Sequence, residues 1–368
     1  MVDRGRVLVT DGGTGGSRDS VAAVRALHAA GYAPAVAVSS GRSWPAPSRY
    51  ARRRITVPPA ADPGYAAALR SEADAGGYVA VVPTSEAALS ALGVALPHLL
   101  DKISLARAAE DVGLAVPPQR AFESTSELLA AADDLTYPVV VKPTTRRYLA
   151  FRAASPDGLR RAPLDGGATL VQPWLGDGLR ALSGVMWRGR LVAAVHERWL
   201  RIWPYPCGLA SAAETVTPDA ELEQRVAELL RGYDGVFCAQ LAGPHLFDLN
   251  LRIHSSHPLA VAAGVNLIAL YCDLVRGESV APLRAVPGFF YRWLEGDVRH
   301  LVGAVRARRM SARAAAAALR PRLGTAHSIE SLRDPVPMLS RLWYGVRRVH
   351  MDEVERRLEA RPQAPSRR

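Results

Sequence analysis

The sequence predicts an α/β protein, α+β overall, and three stretches carry that prediction. Arg6–Thr10 is a short apolar strand that runs into Asp-Gly-Gly-Thr-Gly-Gly-Ser, then an amphipathic helix over residues 17–30 stopped by Gly31, then a second strand over residues 33–40. Strand, glycine loop, helix and strand in that order open a doubly wound sheet. Residues 236–253 read as a hairpin: a strand, a tight turn at Ala242-Gly243-Pro244, and a second strand from His245 to about Ile253. From about Pro282 the composition changes to amphipathic helices with Arg-rich outer faces, ending in a low-complexity tail, RPQAPSRR.

A chain of 368 residues is long enough for two or three domains with their own cores. The net charge of +11 raises nucleic acid as a partner. The arginines are spread along the chain without a recognition motif or interleaved aromatic residues, so no nucleic-acid partner is expected. A basic surface that tolerates anionic nucleotides is the inference that remains. Cys207, Cys238 and Cys272 are isolated and have no zinc or disulfide spacing. The first residues lack the apolar core of a signal peptide, and no apolar run approaches a membrane span. A cytoplasmic protein without a membrane partner is expected, with a homodimer among the compatible assemblies.

In chain order, Ser48-Arg49-Tyr50 leads into an extended ITVPP stretch and a helix over residues 64–75. The strand that follows, YVAVVPTSEAAL, puts Pro83-Thr84-Ser85-Glu86 at the carboxyl edge of a parallel sheet, where ligands bind. A boundary falls near Leu96-Pro97. Asp101 then caps a helix that carries Lys102 and stops at Gly113, and a proline-bracketed strand is expected after it. A helix over residues 125–135 precedes YPVVVKPTT, an apolar strand closed by Lys142. Burying that ammonium is expensive unless it meets an anion. Further on, Arg198 closes a strand, Gly208 and Ser211 begin a loop that includes Glu214, and residues 218–233 form a helix. Taken alone, Arg198 and Glu214 read as surface residues or an ion pair.

The hairpin carries the chemistry. Side chains alternate along a strand, so Asp248, Asn250 and Arg252 share one face while Leu249 and Leu251 share the other. Gln240, the polar exception in the preceding strand, lies near Asp248 and Asn250 if the strands pair. One carboxylate and two amides suit Mg²⁺ completed by water and phosphate oxygens, and a neighbouring guanidinium suits phosphate. The spacing alone fits an ordinary solvated hairpin face equally well.

The segment FDLNLRIHSSHPLAVAAGVNL resembles the closing motif of ATP-grasp ligases: an acidic residue, x, Asn, x, Arg, small residues, and an apolar helix ending in Gly-Val-Asn. Four more pieces resemble the family in the same order: the Asp101-Lys102 helix, the strand ending Lys142-Pro143, the Gln172-Pro173-Trp174-Leu175 hinge, and the Gln240 strand. The amino-terminal part is similar to the predicted carboligase (carboxylate–amine ligase) branch, which carries the same Ser-Arg-Tyr element and Pro-Thr-Ser strand end. The likeness spans roughly residues 1 to 280. It implies a Rossmann-like pre-ATP-grasp domain (1–96), a small lid subdomain (97–170), a large catalytic subdomain (171–282) and a carboxy-terminal helical extension (283–368).

The same resemblance implies a function and a site. Lys102 and Lys142 would bind ATP phosphates, Gln172, Trp174 and Leu175 would line the adenine pocket, and Gln240, Asp248 and Asn250 would hold Mg²⁺ or Mn²⁺. Asp248, Asn250 and Arg252 would be catalytic, and Arg198, Ser211, Glu214 and Ser255 would face the substrate. The implied reaction joins a small-molecule carboxylate to an amine through an acyl phosphate, with an amino acid or peptide on one side. Carboxylation, phosphoryl transfer, or nucleotide binding without turnover are the alternatives. The sequence departs from the family pattern at Asp248, where Glu is commoner, at Leu251, where Pro is frequent, and after Lys142. There a glycine-rich flap is replaced by TTRRYLAFRAA, in which Arg146 and Arg147 would hold phosphate by charge.

Overall fold

Alternating burial along the strands sorts the chain into three sheets. The computed structural model describes residues 4–11, 17–39, 43–94, 96–144, 150–162, 164 and 166–343; the glycine loop at 12–16 and Arg146 and Arg147 lie outside them. The first sheet is parallel, ordered β3-β2-β1-β4, from β1 (Arg6–Thr10), β2 (Ala33–Val38), β3 (Arg53–Thr56) and β4 (Ala80–Val82). Both faces of β1 are covered, which is why it reads as a continuous apolar run. Val7 and Val9 pack under α1 (Arg18–Ala29), and Leu8 packs against α2 (Tyr65–Ala75) and α3 (Glu86–Leu92). The Ser17 side chain caps α1 by accepting from the Ser20 N–H. The strand expected to run through Pro83–Leu89 stops at Val82, because the Ser85 hydroxyl accepts from the Ala88 N–H and starts α3.

Next come α4 (Pro97–Leu100) and α5 (Lys102–Asp111), the latter capped by the Asp101 carboxylate. Gly113, at φ +74°, turns the chain out of the helix. The strand expected right after it does not form, since Pro117 and Pro118 have no N–H to donate. Pairing begins at β5 (Arg120–Phe122), which with α6 (Thr125–Ala130), β6 (Val139–Pro143), β7 (Phe151–Ala153), α7 (Pro156–Arg160) and β8 (Thr169–Pro173) makes an antiparallel sheet ordered β5-β8-β6-β7. Leu128, Val139, Val141 and Leu159 fill its core.

The third sheet is the largest. Its strands are β9 (Leu179–Trp187), β10 (Arg190–Trp203), β11 (Leu209–Thr215), β12 (Gly235–Ala242), β13 (His245–Asn250), β14 (Leu283–Arg284), β15 (Phe290–Arg292) and β16 (Ala326–His327). They run β13-β12-β9-β10-β11-β15-β16, with β14 beside β10. One face packs Leu182, Ala239 and Leu249 against α5 and α8 (Ala220–Leu229). The other carries α9 (His257–Ala262), while α10 (Leu267–Val275) bridges to the first sheet through Ile268 and Cys272. α11 (Leu294–Arg306), α12 (Ala312–Ala318) and helical residues 336–343 complete the described chain. The carboxy-terminal part therefore supplies strands β15 and β16 as well as the expected helices.

Two fully buried carboxylates tie this part down. Asp297 receives Arg201 and Arg292, and Asp334 receives Arg25 (2.9 Å), the Ser48 hydroxyl (2.8 Å) and the Arg49 N–H (3.0 Å). Removing one partner of a buried ion pair leaves an uncompensated charge, typically about 3–5 kcal/mol. Asp297→Ala is expected to lower stability on that scale, read as a drop in the urea midpoint at an unchanged slope.

Candidate active site

The β12–β13 ladder places Gln240 opposite Asp248 and Cys238 opposite Asn250. Gln240, Asp248 and Asn250 thus share one face, as the alternation predicts. The Asn250 amide donates to Asp248 at 3.3 Å, which leaves its carbonyl oxygen for another partner. β13 ends at Asn250, short of the expected Ile253. Arg252 consequently leaves the ladder. Its guanidinium donates to Asp19 in the first turn of α1 at 2.7 Å and to the Ile253 carbonyl at 3.1 Å.

Two lysines from other elements converge on the carboxylate. The Lys102 ammonium, at the start of α5, stands 3.7 Å from Asp248. Lys142, from β6, donates to the Phe247 carbonyl at 2.9 Å with its ammonium 5.6 Å from the Phe247 ring centre. Burial pushes the Lys142 ammonium down to about 8; the Asp248 charge opposes that shift and Lys102 adds to it. Two ammonium groups and one carboxylate leave the site with surplus positive charge, which suits a polyanion. Gln172 lies on the Lys142 face of the second sheet, opposite Val140, and its amide donates to Gln119 at 3.0 Å. The Trp174 ring sits 5.6 Å from the Arg152 guanidinium, and Leu175 packs against the third sheet.

Glu197, Ala181 and Gln240 are lateral neighbours across β10, β9 and β12, so Arg198, next to Glu197, points from the opposite face. There it ion-pairs with Glu214, its partner across β11, as the residues read alone suggest. β10 also runs on to Trp203 instead of closing at Arg198. Ser211 and Ser255 are fully buried. The Ser255 carbonyl accepts from Tyr291 at 3.1 Å.

Sequence reasoning missed a buried polar cluster beside the Gln240 face. The Ser256 hydroxyl donates to Glu197 at 2.9 Å and lies 2.9 Å from His254 Nδ1, while the His254 ring stacks on Trp199 at 5.5 Å. Burial raises the Glu197 carboxyl to about 7, against the Ser256 hydrogen bond, and lowers His254 to about 4, so His254 is neutral at pH 7. The signal for Glu197 was one acid closing the apolar run LVAAVH. Asp19 carried no such signal. Among the described residues no group of three or more His, Cys, Asp and Glu side chains is placed to hold a metal. The donor set at Asp248 is one carboxylate and two amides, which fits Mg²⁺ only where phosphate oxygens and water complete the shell.

No protein-family model and no curated protein matches the chain. Solved structures do. The chain is similar to N5-carboxyaminoimidazole synthetase from Staphylococcus aureus (TM-score 0.57, 13% identity, covering 77% of this chain and 80% of that one). It is likewise similar to L-amino acid ligase from Bacillus licheniformis (0.55, 14%, 74% and 74%). A third is the biotin carboxylase domain of Hydrogenobacter thermophilus 2-oxoglutarate carboxylase, solved with MgADP, ADP and bicarbonate (0.56, 13%, 77% and 73%). These are ATP-grasp proteins, and the chain has the ATP-grasp fold. No helix among the described residues is long and apolar enough to cross a membrane.

Lys142 yields a pH test. With its folded value near 8 and its free value at 10.5, the unfolded chain binds more protons between those limits, so stability rises with pH across that window. Lys142→Met is expected to unfold at a higher temperature than the wild type at pH 7. The gap should narrow from pH 8 to pH 10, and a constant gap would remove the depressed pKa.

Proposed function

We propose that the protein is an ATP-dependent ligase that joins a small carboxylic acid to an amine, with an amino acid or peptide on one side. The observation that carries this reading is the convergence of Lys102 and Lys142 on Asp248, on the face that Asp248 shares with Gln240 and Asn250. The similarity of fold to an L-amino acid ligase supports it. In this reading the chain divides at 96/97, 170/171 and 282/283. Residues 171–175 form the linker along the adenine edge, where Gln172, held by Gln119, Trp174 and Leu175 shape the pocket. Lys102 and Lys142, joined by Arg146, meet the phosphates.

Gln240, Asp248 and Asn250 would hold Mg²⁺ together with phosphate oxygens. The ion would supply countercharge between the nucleotide and the incoming carboxylate. A carboxylate oxygen of the acid attacks the γ-phosphorus, the bond to the β–γ bridging oxygen breaks, and ADP leaves. The amine nitrogen then attacks the acyl carbon, the bond to the phosphate oxygen breaks, and the nitrogen gives up a proton. The two reacting anions repel, and the lysines offset that repulsion by position and charge. Arg252, aimed by its ion pair with Asp19, donates to the oxyanion that forms in the second step.

The test is ADP release from Mg²⁺-ATP with pooled amino acids and small carboxylates, followed by mass analysis. An acid-plus-amine requirement with an amide product is the expected result. Bicarbonate dependence without an amine would make the protein a carboxylase, the activity named for one of its structural neighbours. Asp248→Ala is expected to abolish product formation with little change in melting temperature, and near-normal turnover in that variant would sink the metal assignment.

A further inference from the structure

Arg18 has no part in the reaction as described above, yet it is built into the same corner of the molecule. It is the first residue of α1 and only 7% exposed. Its guanidinium carbon lies 3.7 Å from the centre of the Trp293 ring. Nη1 donates to the Tyr291 hydroxyl at 3.1 Å and to the Ser328 hydroxyl at 3.3 Å, while Nη2 has no partner. The Tyr291 hydroxyl donates onward to the Ser255 carbonyl, and the next residue of α1, Asp19, pairs with Arg252. Two neighbouring helix residues are thus fastened to the two ends of the segment 252–255.

Charge sets Arg18 apart. Several other buried or half-buried arginines meet carboxylates: Arg201 and Arg292 meet Asp297, Arg25 meets Asp334, and Arg284 meets Glu223. Arg18 touches only hydroxyls, and no carboxylate among the described residues lies within ion-pair distance of it. Asp19, the next residue of α1, is engaged by Arg252. A buried cation without a counterion is costly, and a guanidinium held over an indole keeps its planar fork of donors for a carboxylate. Beside it, Arg252 Nε, His254 Nε2 and Ser255 Oγ also lack partners, on side chains more than nine-tenths buried. These unpaired groups, three of them donors at neutral pH, are of the kind that binds an anion.

We infer that Arg18, on its Trp293 platform, receives a substrate carboxylate that is not the one activated. This rests on the ligase reading, in which Arg252 serves the reacting group. The carboxylate that stays intact belongs either to a dicarboxylic acid or to an amino acid acting as the amine.

Calorimetric titration at ionic strength fixed with sodium chloride tests this, with and without saturating MgADP. The probes are succinate and L-alanine, each paired with its uncharged-end analogue, monomethyl succinate and L-alaninamide. One carboxylate probe is expected to bind the wild type, to bind at least tenfold more weakly as its analogue, and to weaken at least tenfold in Arg18→Met with MgADP affinity unchanged. Succinate or alanine as the binder tells which substrate carries the group. Arg18→Lys keeps the charge without the planar fork and should bind several-fold more weakly; if Arg18→Met does not fold, this variant decides alone. Equal binding by wild type and folded variant, or no probe binding to a wild type that does bind MgADP, overturns the inference. Arg18-dependent probe binding in a protein that does not bind MgADP would instead overturn the ligase reading and leave the carboxylate site standing.

Discussion

The register between β12 and β13 is the constraint on which the site depends. Strand side chains alternate with period two, so a one-residue slip of β13 would turn Asp248 and Asn250 onto the leucine face and bring Leu249 to the face of Gln240. The leucine face prevents that slip. Ala239 and Leu249 are neighbours in the ladder and are sealed against α5 and α8. The helix that locks the register also starts with Lys102, so the packing that fixes the carboxylate brings the first lysine to it. Lys142 arrives independently, from the second sheet, and is tied to the Phe247 carbonyl one residue before Asp248.

Local pattern made some of this legible and distance hid the rest. The alternation of Asp248 and Asn250 with Leu249, the apolar strand closed by Lys142, and the capped helix at Asp101 are written within a few residues each. Their physics is short-range. The Asp19–Arg252 ion pair joins residues 233 positions apart, and nothing near Asp19 points to it. Local alternation also misled where a strand ended early: Arg252 was expected beside Asn250 on the ladder, but β13 stops first. Arg198 was legible as far as its ion pair with Glu214, because the two lie on adjacent strands of one hairpin. Gln172 was read toward a ligand and meets Gln119 in this structure, as a buried amide beside another amide does.

Electrostatics sorts the many arginines into two kinds. Some are structural and matched, as at Asp297 and Asp334, and their charge is neutralised inside the fold. The cations near β13 are under-matched: Arg252 takes Asp19 and leaves Arg18 without a carboxylate, and Asp248 faces both Lys102 and Lys142. The net charge of +11 is therefore a poor guide to surface partners, while the local imbalance around two carboxylates is an informative one. Between about pH 4 and pH 7 the buried cluster of Glu197, Ser256 and His254 adds little charge to that corner, and it holds the segment after Arg252 by hydrogen bonds.

The Asp334 anchor has a consequence for biosynthesis. The amino-terminal sheet and its helix leave the ribosome early, but the carboxylate that receives Arg25, Ser48 and the Arg49 backbone is encoded some three hundred residues later. At typical rates of about 5–20 residues per second, tens of seconds separate the two. Through that interval the nascent domain holds an arginine and a loop without their final partner. Of the two segments, the one translated earlier waits for the later one before it reaches its finished state.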